Sequence, residues 1–322
     1  MSGDRILTLR VAGAQALTPE IRCLELVHPL GLPLPAYAPG AHIHIHLPGG
    51  FSRPYSLALA PEPQQAGVRR YVIGVKREPV SRGASASVHE RVAPGDLLPV
   101  SAPRSTFAIA SPASHHLLLA GGIGLTPLLC MAQHLHATGQ PFTLCVFARG
   151  PQHLAFEPQL KALGDAVRLH FDEPQSPHKI ALAPLLSSQP PGTHLYLCGP
   201  SGFMAAARQA AAEWPEEAVH LEYFAPPESE AGDGPDEAFT LRLSRRAIDV
   251  PVAADQTAVE ALHDVGIDVP TSCEQGVCGT CVVPLGDGEA EHRDYCLTRA
   301  ERRHKVALCC SRAKGGVLEI DL

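Results

Sequence analysis

Cys273-Glu274-Gln275-Gly276-Val277-Cys278-Gly279-Thr280-Cys281 sets four residues between its first two cysteines and two between the second and third. That is the plant-type spacing for three ligands of a 2Fe–2S cluster, which takes a fourth cysteine from further along the chain. Cys309 and Cys310 both follow on an apolar run. The thiolates must converge on two irons from a tightly curled loop. Gly276 and Gly279 permit that curl and let amide N–H groups approach the sulfides. A structural zinc site fits poorly, because the four-residue gap comes without a nearby histidine pair.

Around this loop the chain is long enough for several cores. Its 322 residues suggest two or three domains of about 100–150 residues each. A net charge of −7 and a pI near 6.2 argue against a nucleic-acid binder, whose footprint is basic. No apolar run of roughly 18 residues occurs, and Met1-Ser2-Gly3-Asp4-Arg5 has no apolar signal region, so a soluble, cytoplasmic protein without membrane contact is expected. Thiols stay reduced there, which makes metal binding the reading for clustered cysteines. Cys23, Cys130, Cys145 and Cys296 read as core or incidental.

Immediately before the loop, Phe239–Leu243 and Ile248–Val252 read as a hairpin and Ala258–Val265 as a short helix; Val317–Ile320 closes the chain as a strand. Ala225–Ala238 carries five acids, no base and no apolar periodicity, and reads as an exposed linker. Upstream lies an alternation of strands and helices. Strands at Leu117–Ala120, Thr143–Ala148, Val167–Phe171, His194–Cys198 and Val219–Tyr223 are separated by helices ending near Ala137 and at Glu157–Leu163, Ile180–Leu186 and Gly202–Trp214. This is the pattern of a parallel α/β sheet. From the N-terminus to about residue 108 the chain is β-rich. Ile6–Val11, Ile21–His28, His42–Leu47, Tyr55–Ala60, Tyr71–Lys76 and Leu97–Val100 are short strands of an antiparallel barrel or sandwich, with one helix at Ser85–Val92.

Three motifs carry chemistry. Gly121-Gly122-Ile123-Gly124-Leu125-Thr126-Pro127, between a buried strand and a helix, is a phosphate-binding turn, with Pro127 where a full dinucleotide fingerprint has its third glycine. Leu197-Cys198-Gly199-Pro200-Ser201-Gly202 is a second turn of this kind, so both should face one crevice at the carboxyl ends of the strands. Arg53-Pro54-Tyr55-Ser56 offers a cation, a ring and a hydroxyl for a phosphorylated planar cofactor, and Ser81-Arg82-Gly83-Ala84-Ser85 adds an anion-friendly helix start. His42-Ile43-His44-Ile45-His46 tempts a metal reading, but alternation sets the imidazoles about 7 Å apart in a flat row, which does not converge on an ion.

Taken in order, these motifs make the chain resemble the phthalate dioxygenase reductase family, to which vanillate demethylase reductase subunits also belong. The resemblance covers the whole chain. It implies an antiparallel β-barrel flavin domain at 1–109, a parallel α/β nucleotide domain at 110–226, a linker at 227–237 and an α+β β-grasp ferredoxin domain at 238–322. It implies FMN on Arg53, Tyr55 and Ser56, with Val75 and Lys76 along the ring and Arg82, Gly83, Ala84 and Ser85 at the phosphate. Gly122, Gly124 and Thr126 would lie between flavin and NADH, Asp172 at a ribose, Cys198, Gly199 and Pro200 by the nicotinamide, and Phe224 near the flavin. Asp172 argues for NADH over NADPH, whereas Arg149 would attract a 2′-phosphate. The family pattern Cys-x-Ser-Arg-Ala matches Cys309–Ala313, which adds Cys309 to Cys273, Cys278 and Cys281 as cluster ligand. The implied function is an NADH-dependent oxidoreductase, a monomer, that passes electrons through FMN and the cluster to a partner oxygenase, chiefly a Rieske-type aromatic oxygenase or demethylase. A diiron oxygenase or cytochrome is the alternative acceptor, and a non-catalytic iron–sulfur carrier or sensor the alternative class.

Overall fold

Seven antiparallel strands open the chain in the computed structural model, which describes residues 6–61, 67–79, 83–226 and 236–322. They are β1 (Ile6–Ala16), β2 (Ile21–Val27), β3 (Ala41–Leu47), β4 (Phe51–Ser56), β5 (Arg70–Lys76), β6 (Leu97–Ser101) and the short β7 (Arg104–Ser105), with helix α1 (Ala84–Arg91) before β6. Six lie in the order β4-β3-β6-β1-β2-β5, and β7 pairs with β3. A bridge between Leu57 and Ile73 brings the two edges together, so the sheet curls into a nearly closed barrel. Leu9, Leu24, Leu26, Ile43, Ile45 and Val88 of α1 fill it and are fully buried. The fourth strand begins at Phe51, before the expected Tyr55–Ala60, because Pro54 is accommodated inside it. As an edge strand β4 needs a ladder on one side only, so the missing N–H is tolerated.

The parallel sheet follows as β8 (His115–Gly121), α2 (Leu125–Ala137), β9 (Phe142–Ala148), α3 (Glu157–Ala162), β10 (Val167–Phe171), α4 (Leu182–Ser187), β11 (Thr193–Cys198), α5 (Ser201–Ala210) and β12 (Val219–Glu222). Strand order β10-β9-β8-β11-β12 means that the chain steps outward from β8 twice and then returns to its other side. The reversal falls between β8 and β11, the strands whose carboxyl ends carry the two Gly-containing turns. Ile21, Cys23, Ala58 and Val72 of the barrel share one core with Leu118, Leu128, Leu129 and Tyr196. That shared core makes everything up to Glu222 one unit.

A second unit begins at Tyr223. It holds β13 (Phe239–Leu243), β14 (Ile248–Val252), α6 (Ala258–Asp264), β15 (Val282–Pro284), β16 (Glu289–Glu291), β17 (Lys305–Ala307), β18 (Arg312–Lys314) and β19 (Val317–Ile320). The first hairpin is antiparallel, and β19 joins β13 in parallel. Thr257 caps α6 in a reciprocal box: its hydroxyl accepts the Glu260 N–H at 3.2 Å, and the Glu260 carboxylate accepts the Thr257 N–H at 2.8 Å. Leu241, Leu262, Val306 and Ile320 form a core that also takes in Cys281 and Cys309. Among the described residues, no helix is long and apolar enough to cross a membrane.

Candidate functional site

In the second unit the loop Cys273–Cys281 runs between α6 and β15, and Cys309 follows β17. All four thiols are buried. The Cys273 thiol lies within hydrogen-bonding reach of Cys278 and Cys309, and Cys309 also reaches Cys281 and Cys310. Gly276 sits at φ 72°, where a Cβ would stand 3.0 Å from the Asp294 Cα and strike the Cys310 sulfur, so this turn of the loop requires glycine. The Gln275 N–H donates to Cys273 Sγ at 3.4 Å, and the Val277 N–H points at the same sulfur. Neighbouring S–H groups, Cys278 first and then Cys309, hold the Cys273 thiol below the usual thiol range, and Cys309 does the same for Cys281. Among the described residues no three His, Cys, Asp or Glu are arranged to hold a single ion. A 2Fe–2S cluster does not need such a group, since each iron takes two thiolates. The four thiols and inward N–H groups are a donor set of the right chemistry.

Beneath the loop lies a carboxylate with no local cue in the sequence. The Asp294 side chain is fully buried; it accepts the Leu297 N–H at 2.9 Å and lies 3.3 Å from His292 Nδ1 and 3.6 Å from an Arg302 nitrogen. The next residue, Tyr295, donates its N–H to the Gly276 carbonyl at 2.9 Å. The paired charge fixes the floor on which the loop turns.

In the first unit both predicted turns meet. Gly124 packs so closely on the Cys198–Gly199 peptide that a Cβ there would overlap it, and Gly199 lies against Gly121. Pro200 caps α5, and Thr126 is buried with its hydroxyl donating to the Ile123 carbonyl at 3.1 Å. Cys198 is fully buried, and burial, then Glu222, pushes its thiol well up, which leaves it no nucleophile. Its sulfur lies 4.0 Å from Glu222 Oε2. Burial raises the Glu222 carboxyl to about 8, although the Ser56 hydroxyl donates to it and works the other way. Ser56, Cys198 and Glu222 are therefore one cluster where barrel and parallel sheet meet, and burial there favours the protonated carboxyl. Glu222 was absent from the sequence reading; an acid ending a strand carries no local signal.

The remaining predicted residues spread around this point. Tyr55 is partly buried, with its phenol raised to about 12 by burial. Arg53 donates to the neighbouring Ser52 carbonyl at 2.7 Å. Val75 is buried, and Lys76 pairs with Glu78 at 3.0 Å. Arg82 lies outside the described residues. Gly83 caps α1 in the left-handed region at φ 105°, and Ala84 and Ser85 are buried in its first turn, where the Ser85 hydroxyl accepts the Glu78 N–H at 3.1 Å. Asp172 is exposed just beyond β10, its Oδ1 3.5 Å from His170 Nε2. Phe224 is exposed near the start of the second unit. In the histidine row His46 is exposed, whereas His42 and His44 are buried and meet edge to face at 5.2 Å.

Residues 241–314 match the family model described as "2Fe-2S iron-sulfur cluster binding domain", and residues 100–218 match "Dimethylamine monooxygenase subunit DmmA-like, N-terminal domain". Over 319 residues the chain is 43% identical to a vanillate O-demethylase oxidoreductase of a Pseudomonas species, spanning 97% of this chain and 98% of that protein. It belongs to the family of vanillate O-demethylase and phthalate dioxygenase reductases. The phthalate dioxygenase reductase of Burkholderia cepacia is 35% identical over 322 residues, with 99% and 98% covered. A solved phthalate dioxygenase reductase, described as a modular structure for electron transfer from pyridine nucleotides to [2Fe–2S], matches at a TM-score of 0.70 and 35% identity over 98% of each chain. An intact type IV self-sufficient cytochrome P450 monooxygenase matches at 0.89 and 34%; the chain spans 98% of its own length and 41% of that protein. As a member of this family the chain is an oxidoreductase, the reductase component of an oxygenase system, with a C-terminal 2Fe–2S domain.

Proposed function

We propose that this chain takes a hydride from NADH onto FMN and delivers electrons one at a time, through a cluster on Cys273, Cys278, Cys281 and Cys309, to a Rieske-type aromatic oxygenase or demethylase. The observation that carries the reading is the meeting of the two strand-end turns with Ser56 and Glu222. It brings a barrel residue assigned to the flavin against a crevice assigned to the nucleotide. Arg53, Tyr55, Ser56, Val75 and Lys76 are the residues for the flavin, and Arg82, Gly83, Ala84 and Ser85 those for its phosphate. Gly122, Gly124, Thr126, Asp172 and Cys198–Pro200 are those for NADH. Bound there, the flavin supplies the conversion from an electron pair to single electrons, since the cluster accepts only one. The protein's part is to hold the groups in sequence. Glu222, which accepts a hydrogen bond from the Ser56 hydroxyl, is the titratable group beside the residues assigned to the flavin. The domains are those at 1–109 for the flavin, 110–226 for the nucleotide and 238–322 for the cluster, within one monomer; of the linker assigned to 227–237, residues 227–235 lie outside the described residues.

Mass analysis of heat-released flavin and the visible spectrum under NADH test this directly. FMN and rapid bleaching are expected; FAD would move the chain to a sister group, and no bleaching by NADH would remove the donor. A haem protein is the second acceptor reading, supported by the likeness to the self-sufficient P450.

A further inference from the structure

The ends of β9 and β10 carry opposed charges. Arg149, just after β9, places Nη2 2.6 Å from Glu20 Oε2 and 3.1 Å from His153 Nδ1. Glu20 belongs to the turn between β1 and β2, and its backbone is held on both sides. Its N–H donates to the Thr18 hydroxyl at 3.3 Å, and its carbonyl accepts the Arg77 N–H at 2.8 Å. The carboxylate is thus presented by a fixed turn of the barrel to an arginine of the parallel sheet. Asp172 lies beyond the neighbouring strand, with its N–H on the Ala148 carbonyl at 3.1 Å and its charge felt at Arg149. The Glu173 carboxylate lies over Gly150, where any Cβ would strike it. Lys76 also acts on Glu20, but its own ammonium is paired with Glu78. Two carboxylates therefore act on one guanidinium, with that of Glu173 over the next residue, and the nearest of them already occupies it.

We propose that Glu20 is a specificity-determining residue for the pyridine nucleotide. Holding Arg149 in an ion pair, it withholds the guanidinium that would grip a 2′-phosphate, and it leaves Asp172 and Glu173 to accept a 2′-hydroxyl and repel a phosphate. The inference rests on the reading of these strand ends as the nucleotide site. Arg149 and Asp172 then act together, the one held by Glu20 and the other left for the ribose. Both partners are substantially exposed, 57% for Arg149 and 37% for Glu20, so the pair contributes little to stability and its effect is on charge balance.

Isothermal titration of the flavin-loaded protein with adenosine 5′-monophosphate and with adenosine 2′,5′-bisphosphate separates the two layers. Wild type should favour the monophosphate. Glu20→Gln should bind the bisphosphate roughly tenfold more tightly, because one repelling charge is removed and Arg149 is freed. Its monophosphate affinity should stay unchanged, and Glu20→Gln/Arg149→Ala should lose the gain. An unchanged preference in Glu20→Gln, or a gain that survives loss of Arg149, overturns the proposal while leaving the nucleotide site intact. Failure of wild type to bind either ligand overturns the site itself, and the proposal with it.

Discussion

Cys309 and Cys310 are adjacent thiols with different surroundings. Cys309 is buried between Cys273 and Cys281, whereas Cys310 is partly exposed and rests on Gly276. Cys309→Ser should lose the iron and the cluster's share of the visible absorbance, and Cys310→Ser should keep both; iron analysis and the spectrum of the flavin-stripped protein read the difference. At Glu222 the relevant quantity is a proton. With its carboxyl at about 8 in the folded chain and an ordinary 4.5 when unfolded, the native state binds the extra proton between those values. Stability is then full below about 4.5 and falls as pH rises toward about 8, by at most about 1.4 kcal/mol per pH unit. Glu222→Gln should flatten that slope in denaturant titrations of the flavin-free protein. It should also remove any step near pH 8 in the rate of flavin reduction by NADH. The 2Fe–2S domain was legible because a metal loop writes its geometry into local spacing. Glu222 was not, because its partners Ser56 and Cys198 come from other strands and only the fold joins them.

At the level of elements, the amino-terminal halves of β11 and β12 carry a histidine stack. His194 Nδ1 and His220 Nε2 are 2.9 Å apart, and the His220 ring stacks on Tyr196 at 4.6 Å. Burial first, then His194 and His116, depress His220 from 6.5 to about 4. The unfolded chain takes up a proton that the folded one refuses, so stability present above about 6.5 is lost as pH falls toward about 4. His220→Phe keeps the stacking and should lessen this acid loss in thermal melts across the same range. None of this showed in the sequence, where the histidines are scattered. The long parallel strands and α2 were plain from their apolar runs. The pairs β15–β17 and β16–β18 were missed because three residues are too few to display alternation. Helix α5 ends at Ala210, short of Trp214: the backbone tightens into three-residue turns, with the Ala212 N–H on the Gln209 carbonyl and the Trp214 N–H on the Ala211 carbonyl, which an alanine run does not announce.

For the whole molecule, the order of the parts is the function. The barrel and the parallel sheet share a core, so the chain up to Pro226 should fold alone, bind flavin and reduce an artificial acceptor with NADH. It should fail to reduce the oxygenase, because the cluster, with Glu274 and Gln275 exposed on its loop, is the group offered to a protein partner. The ordered motifs made this architecture readable in the sequence, though the shared core, which ties the first two sheets into one unit, was not. The most direct measurement is electron paramagnetic resonance of the cluster after anaerobic mixing of the full-length protein with NADH, in flavin-loaded, flavin-stripped and FMN-restored samples. The relay predicts a reduced 2Fe–2S signal in the loaded and restored samples and none in the stripped one. A signal that forms equally fast without flavin, or none in the loaded protein, would contradict it.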